Sequence, residues 1–438
     1  MISPRPTTRN LLWLLLGAVC FASMAFYTVR VWSANQPEHF SDLYAPWWGA
    51  HELLLNRRNP YSPAVAHEIQ TVIYGKAAIP SPDDPMGMGG GFAYPPYTAL
   101  LLWPTIYCSF ANAARLFLFL SVSLTLLSIL LWLRALRISV SPWHFIALAL
   151  FVFGSFPVLQ GLKLLNLSLI AAAFIAIAVY LLSADHSVWA GVFLAASTFK
   201  PQFIILLVPW LALWSLTEWR VRWRLALSFL MTMILLLLVS ELLLPSGLRH
   251  FLAVARAYHR YTYGHSVLDV WFTPKFGPVA TAALLLTVLK LTWQPLAAAA
   301  NTARFVGVVS FLLATTVVVI PTLAPHVQLL LLPGLILLVE GRESTWNSGS
   351  PGRLLLAGTG ALLAWPWVAA LGLAAASFRQ PLGPLIRFWE VPLYTSTILP
   401  LAVFLALACQ LRPWVPGGAA ATGTNSGALR QARKSGKG

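Results

Sequence analysis

What this sequence has least of is charge. Only 10% of its 438 residues are charged, and only 13 of them are Asp or Glu, whereas a soluble domain carries about 25% charged residues. Hydrophobic residues make up 58% of the chain, and the mean hydropathy is +0.74. This balance excludes a water-soluble globular fold. The three cysteines, Cys20, Cys108 and Cys409, all sit in apolar runs, which excludes a disulfide framework. No Cys/His cluster has ligand spacing, so no metal centre, haem or other cofactor is expected. The ten-residue alternation of a transmembrane barrel is also missing. A formal charge of +16 raises the question of nucleic acid. The basic residues are scattered over loops and a short tail with no basic domain to carry them, so anionic lipid headgroups or a phosphorylated substrate are the expected partners.

Long apolar runs are what is there, and they predict an all-α polytopic membrane protein. Residues 1–10 form a short N-terminus carrying Arg5 and Arg9, expected in the cytoplasm, and Leu11 to Trp32 is an uncleaved first span. Further spans are expected over Ala113–Leu133, Pro142–Pro157, Leu167–Leu182, Val188–Phe199, Phe203–Leu216 and Leu225–Leu244. Pro278–Leu291, Phe305–Leu323, Val327–Val339, Leu354–Ser377 and Val391–Leu411 complete a set of about twelve, with both termini inside. Residues 11–412 are thus one membrane domain, and 413–438, rich in Gly, Ala, Ser and Lys/Arg, read as a disordered basic cytoplasmic tail.

Two polar regions interrupt the pattern on the outer side. Residues 33–112 form a large first extracytoplasmic loop, in which Leu43–Leu55 and Ala64–Tyr74 have the pattern of short surface helices. Thr98–Phe110 is too short for a straight crossing of a core about 30 Å thick and reads as re-entrant. Residues 245–277 form a second loop with Arg249, His250, Arg256, His259, Arg260, His265 and Lys275. Together with Arg57, Arg58 and Lys200 these would make a basic pocket for a phosphate leaving group, or else a solvated loop docked on lipid headgroups. Asp42, a few residues past the first span, lies where a carboxylate can be partly desolvated and still meet a water-soluble acceptor. It is the candidate catalytic base, the alternative being that Ser41 or Asp42 caps the helix that follows.

Set in order, Ser41-Asp42-Leu43-Tyr44, Asn59-Pro60-Tyr61, Tyr94-Pro95-Pro96, Gln160 through Asn166, Phe199-Lys200-Pro201-Gln202 and Ala324-Pro325-His326 resemble the GT-C superfamily of integral-membrane glycosyltransferases. Within it they most resemble glycosyltransferase family 87, polyprenol-phosphate-mannose-dependent alpha-mannosyltransferases. The resemblance covers roughly residues 10–412, and the order of the motifs is its specific part. It implies a GT-C-like fold, a polyprenyl-phosphate sugar donor, a glycan or glycolipid acceptor and inversion at the anomeric carbon. It also implies an extracytoplasmic active site in the inner or plasma membrane, with Asp42 in the position of the family's essential acid. Two motifs depart from the family pattern: Gln160 precedes Gly161 with Asn166 five residues further on, and the late Ser-Pro motif is here Ala324-Pro325.

The same residues make chemical sense together. Sugar transfer needs a base for the acceptor hydroxyl, positive charge for the departing phosphate, and a lipid-open groove for the donor's tail. Asp42 would be the base. Lys200, Arg256, Arg260, His259 and His326 would hold phosphate, although Lys200 at a hairpin tip also fits simple snorkelling. Tyr44, Trp47, Trp48, Tyr94 and Gln160 would line the sugar and acceptor site, although the aromatics also fit an interfacial belt. A flippase or transporter of a lipid-linked sugar would place ionisable groups at the midplane and show internal repeats. The spans are almost free of acids and no repeat is visible. A scaffold subunit of an envelope-glycan assembly is the third reading, and it would need neither the acid nor the basic set.

Overall fold

The computed structural model describes residues 7–37, 40–82, 84, 87, 89–261, 264–347 and 349–411, with the side chains of 258–261 left out. Helices are the sole regular structure among them, and no strand occurs. Six helical segments are long and apolar enough to cross a membrane: Thr8–Asn35, Phe110–Ala135, Trp219–Leu243, Val267–Ala297, Ser350–Ala376 and Leu382–Leu411. The expected Pro142–Pro157 span is instead a broken pair, Pro142–Phe153 and Phe156–Leu164, bent by 63°. The break has a local cause. Gly154 and Ser155 interrupt the ladder and Pro157 cannot continue it, so Ser155 takes an extended conformation ahead of the second helix.

Five further apolar helices, Ser168–Ser183, Ser187–Phe199, Leu207–Thr217, Ala303–Val319 and Pro325–Glu340, are shorter. Length matters less for them because protein covers them. In Ala303–Val319 every residue but Ala303, Arg304 and Val319 is buried, and Ser168–Ser183 is buried along most of its Ala- and Ile-rich length. These two helices form the middle of the bundle. Trp219–Leu243 and Val267–Trp293 lie outside it, with long side chains such as Leu235, Leu242 and Leu286 exposed, as expected of surfaces that face acyl chains. Glycine permits the closest crossings. A Cβ on Gly191 would fall 2.0 Å from Ser228 Oγ on the Trp219–Leu243 helix, and one on Gly154 would fall 2.7 Å from Phe21 Cα in the first helix. Small residues are what let membrane helices approach this closely.

Much of the two polar regions is helical. Tyr44–Leu54 and Pro63–Tyr74 are helices where two were expected, the first mostly buried, the second capped by Ser62 and closed by Gly75 in the left-handed conformation. The apolar run from Thr98 gives only the short helix Thr98–Leu102 and a 3-10 turn, Trp103–Thr105, before the long helix starts at Phe110. The region 245–277, expected as a loop, contains the amphipathic helix Gly247–Tyr261 and the first part of Val267–Trp293. A capping box between Ser266 and Asp269 starts the latter, and Thr273, at φ 62° ahead of Pro274, kinks it.

Candidate functional site

Asp42 is held from two directions by one turn. The first helix ends in a π-helical turn, Tyr27–Trp32, then a 3-10 turn, Ser33–Asn35. Past it, the Asp42 backbone N–H donates to the Leu164 carbonyl at 2.8 Å. Ser41 Oγ donates to that same carbonyl at 3.3 Å. Asn166 Nδ2 then donates to Asp42 Oδ2 at 2.5 Å. Between these partners sits Leu165 at φ 56°, ψ 44°, a left-handed conformation that costs a non-glycine residue about 1–2 kcal/mol. That strain reverses the chain so that Leu164 and Asn166 both face Asp42. The Asn166 amide is fixed at its other end, since Oδ1 accepts the Ser168 N–H at 2.8 Å, and only this orientation turns N–H toward a carboxylate.

The capping alternative does not describe Asp42. Leu43 stands at the N-cap of Tyr44–Leu54 with no side-chain cap bond. Ser41 Oγ accepts the Leu43 N–H at 3.3 Å, and the Asp42 carboxylate points to Asn166.

Three other turns deliver the groups around this carboxylate. Pro201 keeps Lys200 out of the α conformation, so the helix beginning at Ser187 breaks there (φ −119°, ψ 72°) and presents the lysine at a tip. The Lys200 ammonium lies 5.0 Å from the centre of the Tyr94 ring, a cation–π distance. Tyr97 OH ties the Tyr94-Pro95-Pro96-Tyr97 turn to the Lys200 turn through Thr198, at 3.1 Å to its carbonyl and 2.8 Å to its hydroxyl. The Tyr61 hydroxyl donates to the Tyr94 carbonyl at 2.5 Å. The last turn is Ala324, extended ahead of Pro325, which puts His326 in the wall with its Nδ1 buried and, among the described residues, without a hydrogen-bond partner.

These neighbours tune one another. Burial lifts the Asp42 pKa above the ordinary carboxylate range, opposed by the Asn166 hydrogen bond and the Lys200 charge. Burial and then the Asp42 charge push up the phenols of Tyr74 and Tyr94. His326 lies within range of the Lys200 charge. The electrostatics thus bring Asp42, Tyr94, Lys200 and His326 together. Gln160, whose buried Oε1 also has no partner among the described residues, is on the Phe156–Leu164 helix, which packs on the turn that carries His326.

The remaining candidates lie elsewhere. Trp47 is buried, and its indole N–H is spent on the Thr105 carbonyl at 3.2 Å. Tyr44, Trp48 and His51 form a parallel ring stack along one helix face, with both interplanar angles 5°, and Trp48 Nε1 donates to Glu68 at 2.9 Å. Arg58 is not available to a phosphate. It bridges Glu52 at 2.6 Å and Glu68 at 2.7 Å, locking the two surface helices together. Arg256 is exposed on the Gly247–Tyr261 helix, which reaches the site region through His250 stacked on Tyr61. The side chains of His259 and Arg260 lie outside the described residues. Among the described residues, no three His, Cys, Asp or Glu side chains converge as metal ligands.

Three residues of this site had no role assigned from the sequence: Asn166 and Tyr61, which stood only as members of the motifs, and Tyr74.

Comparison with known proteins bears on the same segment. Residues 92–275 match Glycosyltransferase family 87, a stretch that includes Tyr94, Asn166 and Lys200, and the match supports membership of that family. Among curated proteins and among solved structures, nothing matches the chain.

Proposed function

We propose that this multi-pass membrane glycosyltransferase moves a sugar, with mannose as the first choice, from a polyprenyl-phosphate donor to a lipid-linked or cell-envelope glycan acceptor. The transfer takes place on the extracytoplasmic face of the inner or plasma membrane, within a GT-C-like arrangement. Six helices, or seven segments with the bent pair, are long and apolar enough to cross; the proposed twelve crossings with both termini inside also count the five shorter apolar helices as spans.

The observation that carries this reading is the Asp42 carboxylate, made more basic by burial yet held by Leu164 and Asn166 and faced by Lys200. In the reaction, an acceptor hydroxyl oxygen attacks C1 of the donor sugar. Asp42 takes its proton, and the bond from C1 to the phosphate oxygen breaks, leaving polyprenyl phosphate. A single displacement inverts C1. Lys200 stabilises the negative charge that grows on the departing phosphate, and the His326 ring adds an N–H donor. Tyr94 fixes the ammonium from below and its phenol stays protonated, so it donates a hydrogen bond and does not compete for the acceptor proton.

The donor's tail has a place to go. An apolar cavity of ≈ 550 Å³ opens between the helices, lined by Phe156, Pro325 and Gln328 near the His326 turn and by His144 and Glu340 at its far end. Helical rise from Pro325 to Glu340 makes it roughly 20–25 Å long, enough for several isoprene units along the membrane normal.

The test is sugar transfer by purified Asp42→Asn, with labelled polyprenyl-phosphate mannose as donor. Asn keeps the shape and still accepts from Asn166 but cannot take a proton. Turnover should fall about a hundred- to ten-thousandfold with donor binding intact. Stability should not fall. Because the folded-state pKa of Asp42 is raised, its contribution to stability is present at low pH and lost as pH rises through that pKa. At neutral pH, removing the buried charge should therefore leave the thermal midpoint unchanged or higher. A stable, fully active Asp42→Asn enzyme would sink the assignment.

A further inference from the structure

Behind the turn that clamps Asp42 there is a second cavity, of ≈ 430 Å³, lined by two cations from different elements. Arg30 comes from the π-helical turn that ends the first helix, and Lys163 from the last turn of Phe156–Leu164. Ser33 and Gln36 supply neutral polar groups. Trp32, Phe40, Leu164, Leu382 and Ile386 make an apolar wall. Among the described residues neither Arg30 nor Lys163 pairs with a carboxylate. Elsewhere on this side of the protein the arginine near a surface helix, Arg58, is neutralised twice over. Two like charges turned to one cavity, with no carboxylate on either among the described residues, repel each other, and an anion between them removes that cost.

We propose that this cavity is a second anion site, which takes the phosphate of a membrane-borne phosphate ester, with Arg30 and Lys163 on the phosphate oxygens and the lipid's glycerol or isoprenoid part on the apolar wall. Arginine suits the task because its planar fork matches two phosphate oxygens at once, while lysine adds a point charge. The volume is that of a ligand pocket, well beyond a bare ion. Its rim favours a lipid over a soluble phosphate, since Val29 on the same turn as Arg30 is 59% exposed and the wall continues into the helix that spans the membrane. The site is distinct from the donor site: Lys200 faces Asp42 from one side, whereas Arg30 and Lys163 lie behind Leu164, whose carbonyl holds the Asp42 backbone. The inference stands on the cavity and its charges and does not rest on the transferase reading.

The test is lipid binding to the full-length protein in detergent, followed by native mass spectrometry during titration with phosphatidylglycerol. The comparison is Arg30→Gln/Lys163→Gln against the control Arg115→Gln/Arg379→Gln, which removes the same charge from exposed positions outside the cavity. One tightly held phosphatidylglycerol should weaken at least tenfold in the first variant and stay unchanged in the control. Diacylglycerol, which lacks the phosphate, should not occupy the site. Equal binding by all three proteins overturns the proposal, and so does displacement by inorganic phosphate at concentrations equal to the lipid's. Binding that appears only after Glu38→Gln would mean that a carboxylate of this chain occupies the two cations, and would overturn it as well. Kinetics then distinguish the sources of the phosphate. An acceptor lipid held there raises the acceptor KM in the Arg30→Gln/Lys163→Gln enzyme, whereas a bulk phospholipid leaves that constant alone, and either result keeps the site.

Discussion

Asn166 offers the sharpest test of how the base is made, because its amide performs two separable tasks. Oδ1 caps the helix that starts at Ser168, and Nδ2 donates to Asp42. Asn166→Ala removes both. A hydrogen bond to a charged group contributes about 1.5–3 kcal/mol, and one pKa unit is 1.36 kcal/mol. Losing it should raise the Asp42 pKa by about one to two units beyond the elevation that burial already gives it. In the proposed mechanism the carboxylate is the working form, so the acid limb of the pH–rate profile should move up by the same one to two units. Asn166→Asp separates the tasks. Asp caps a helix about as well as Asn, so a purely capping role predicts a variant like the wild type. It also sets a second carboxylate against the first, which drives the shared proton affinity higher still. The expected order of the acid limb is therefore wild type, then Ala, then Asp at the highest pH, with Asp the more stable of the two variants at the helix start. The assay is transfer rate by purified protein across pH 4–9, beside thermal midpoints. An Asn166→Asp enzyme with the wild-type profile would refute the proposed role and leave Asn166 as a cap alone.

Two further outcomes follow from the structure. Arg256→Ala should weaken donor use about tenfold in kcat/KM if the basic helix holds donor phosphate. Unchanged donor kinetics after replacing Arg249, His250 and Arg256 together would leave that work to Lys200 and His326. Arg222 is a buried guanidinium that donates to the carbonyls of Trp214 and Leu296, pairs with Glu218 at 2.9 Å and stacks on Trp214 at 3.9 Å. Arg222→Ala strands those acceptors and should cost about 1–3 kcal/mol per stranded carbonyl, read as a lower unfolding temperature in detergent. Arg222→Lys, which keeps charge but not the fork, should lie between, and an alanine variant as stable as the wild type would refute the lock.

Much of the architecture could be read from the sequence because membrane spans announce themselves as long apolar runs. Asp42 stood out as an acid just beyond the first of them, and Lys200 because Pro201 follows it. What was hidden depended on partners distant in sequence. Asn166 is neutral, and nothing near it in sequence names Asp42 as its partner. Arg58 looked like a phosphate ligand until the Pro63–Tyr74 helix brought Glu68 alongside. Trp47 and Trp48 are adjacent in sequence, yet one is buried against Thr105 and the other stacks at the surface, a difference set by a 100° step of the helix. The Gly247–Tyr261 helix was legible in principle: Leu248, Phe251, Leu252 and Ala255 recur at helical spacing between the basic residues. The density of positive charge between those positions masks that period.

The way Asp42 is clamped also bears on how the protein comes to life. Its partner Asn166 lies 124 residues downstream, and at about 5–20 residues per second of synthesis the ribosome delivers it roughly 6–25 s after Asp42. During that interval the carboxylate waits in water as an ordinary, fully hydrated acid. It acquires its basicity only when the broken helix pair has entered the membrane and Leu165 has made its turn, and Lys200 and His326 arrive later still. On the proposed mechanism, a partly inserted chain has Asp42 without the Asn166 and Lys200 neighbours that the folded site gives it, so transfer activity should appear only once the chain through His326 is in place.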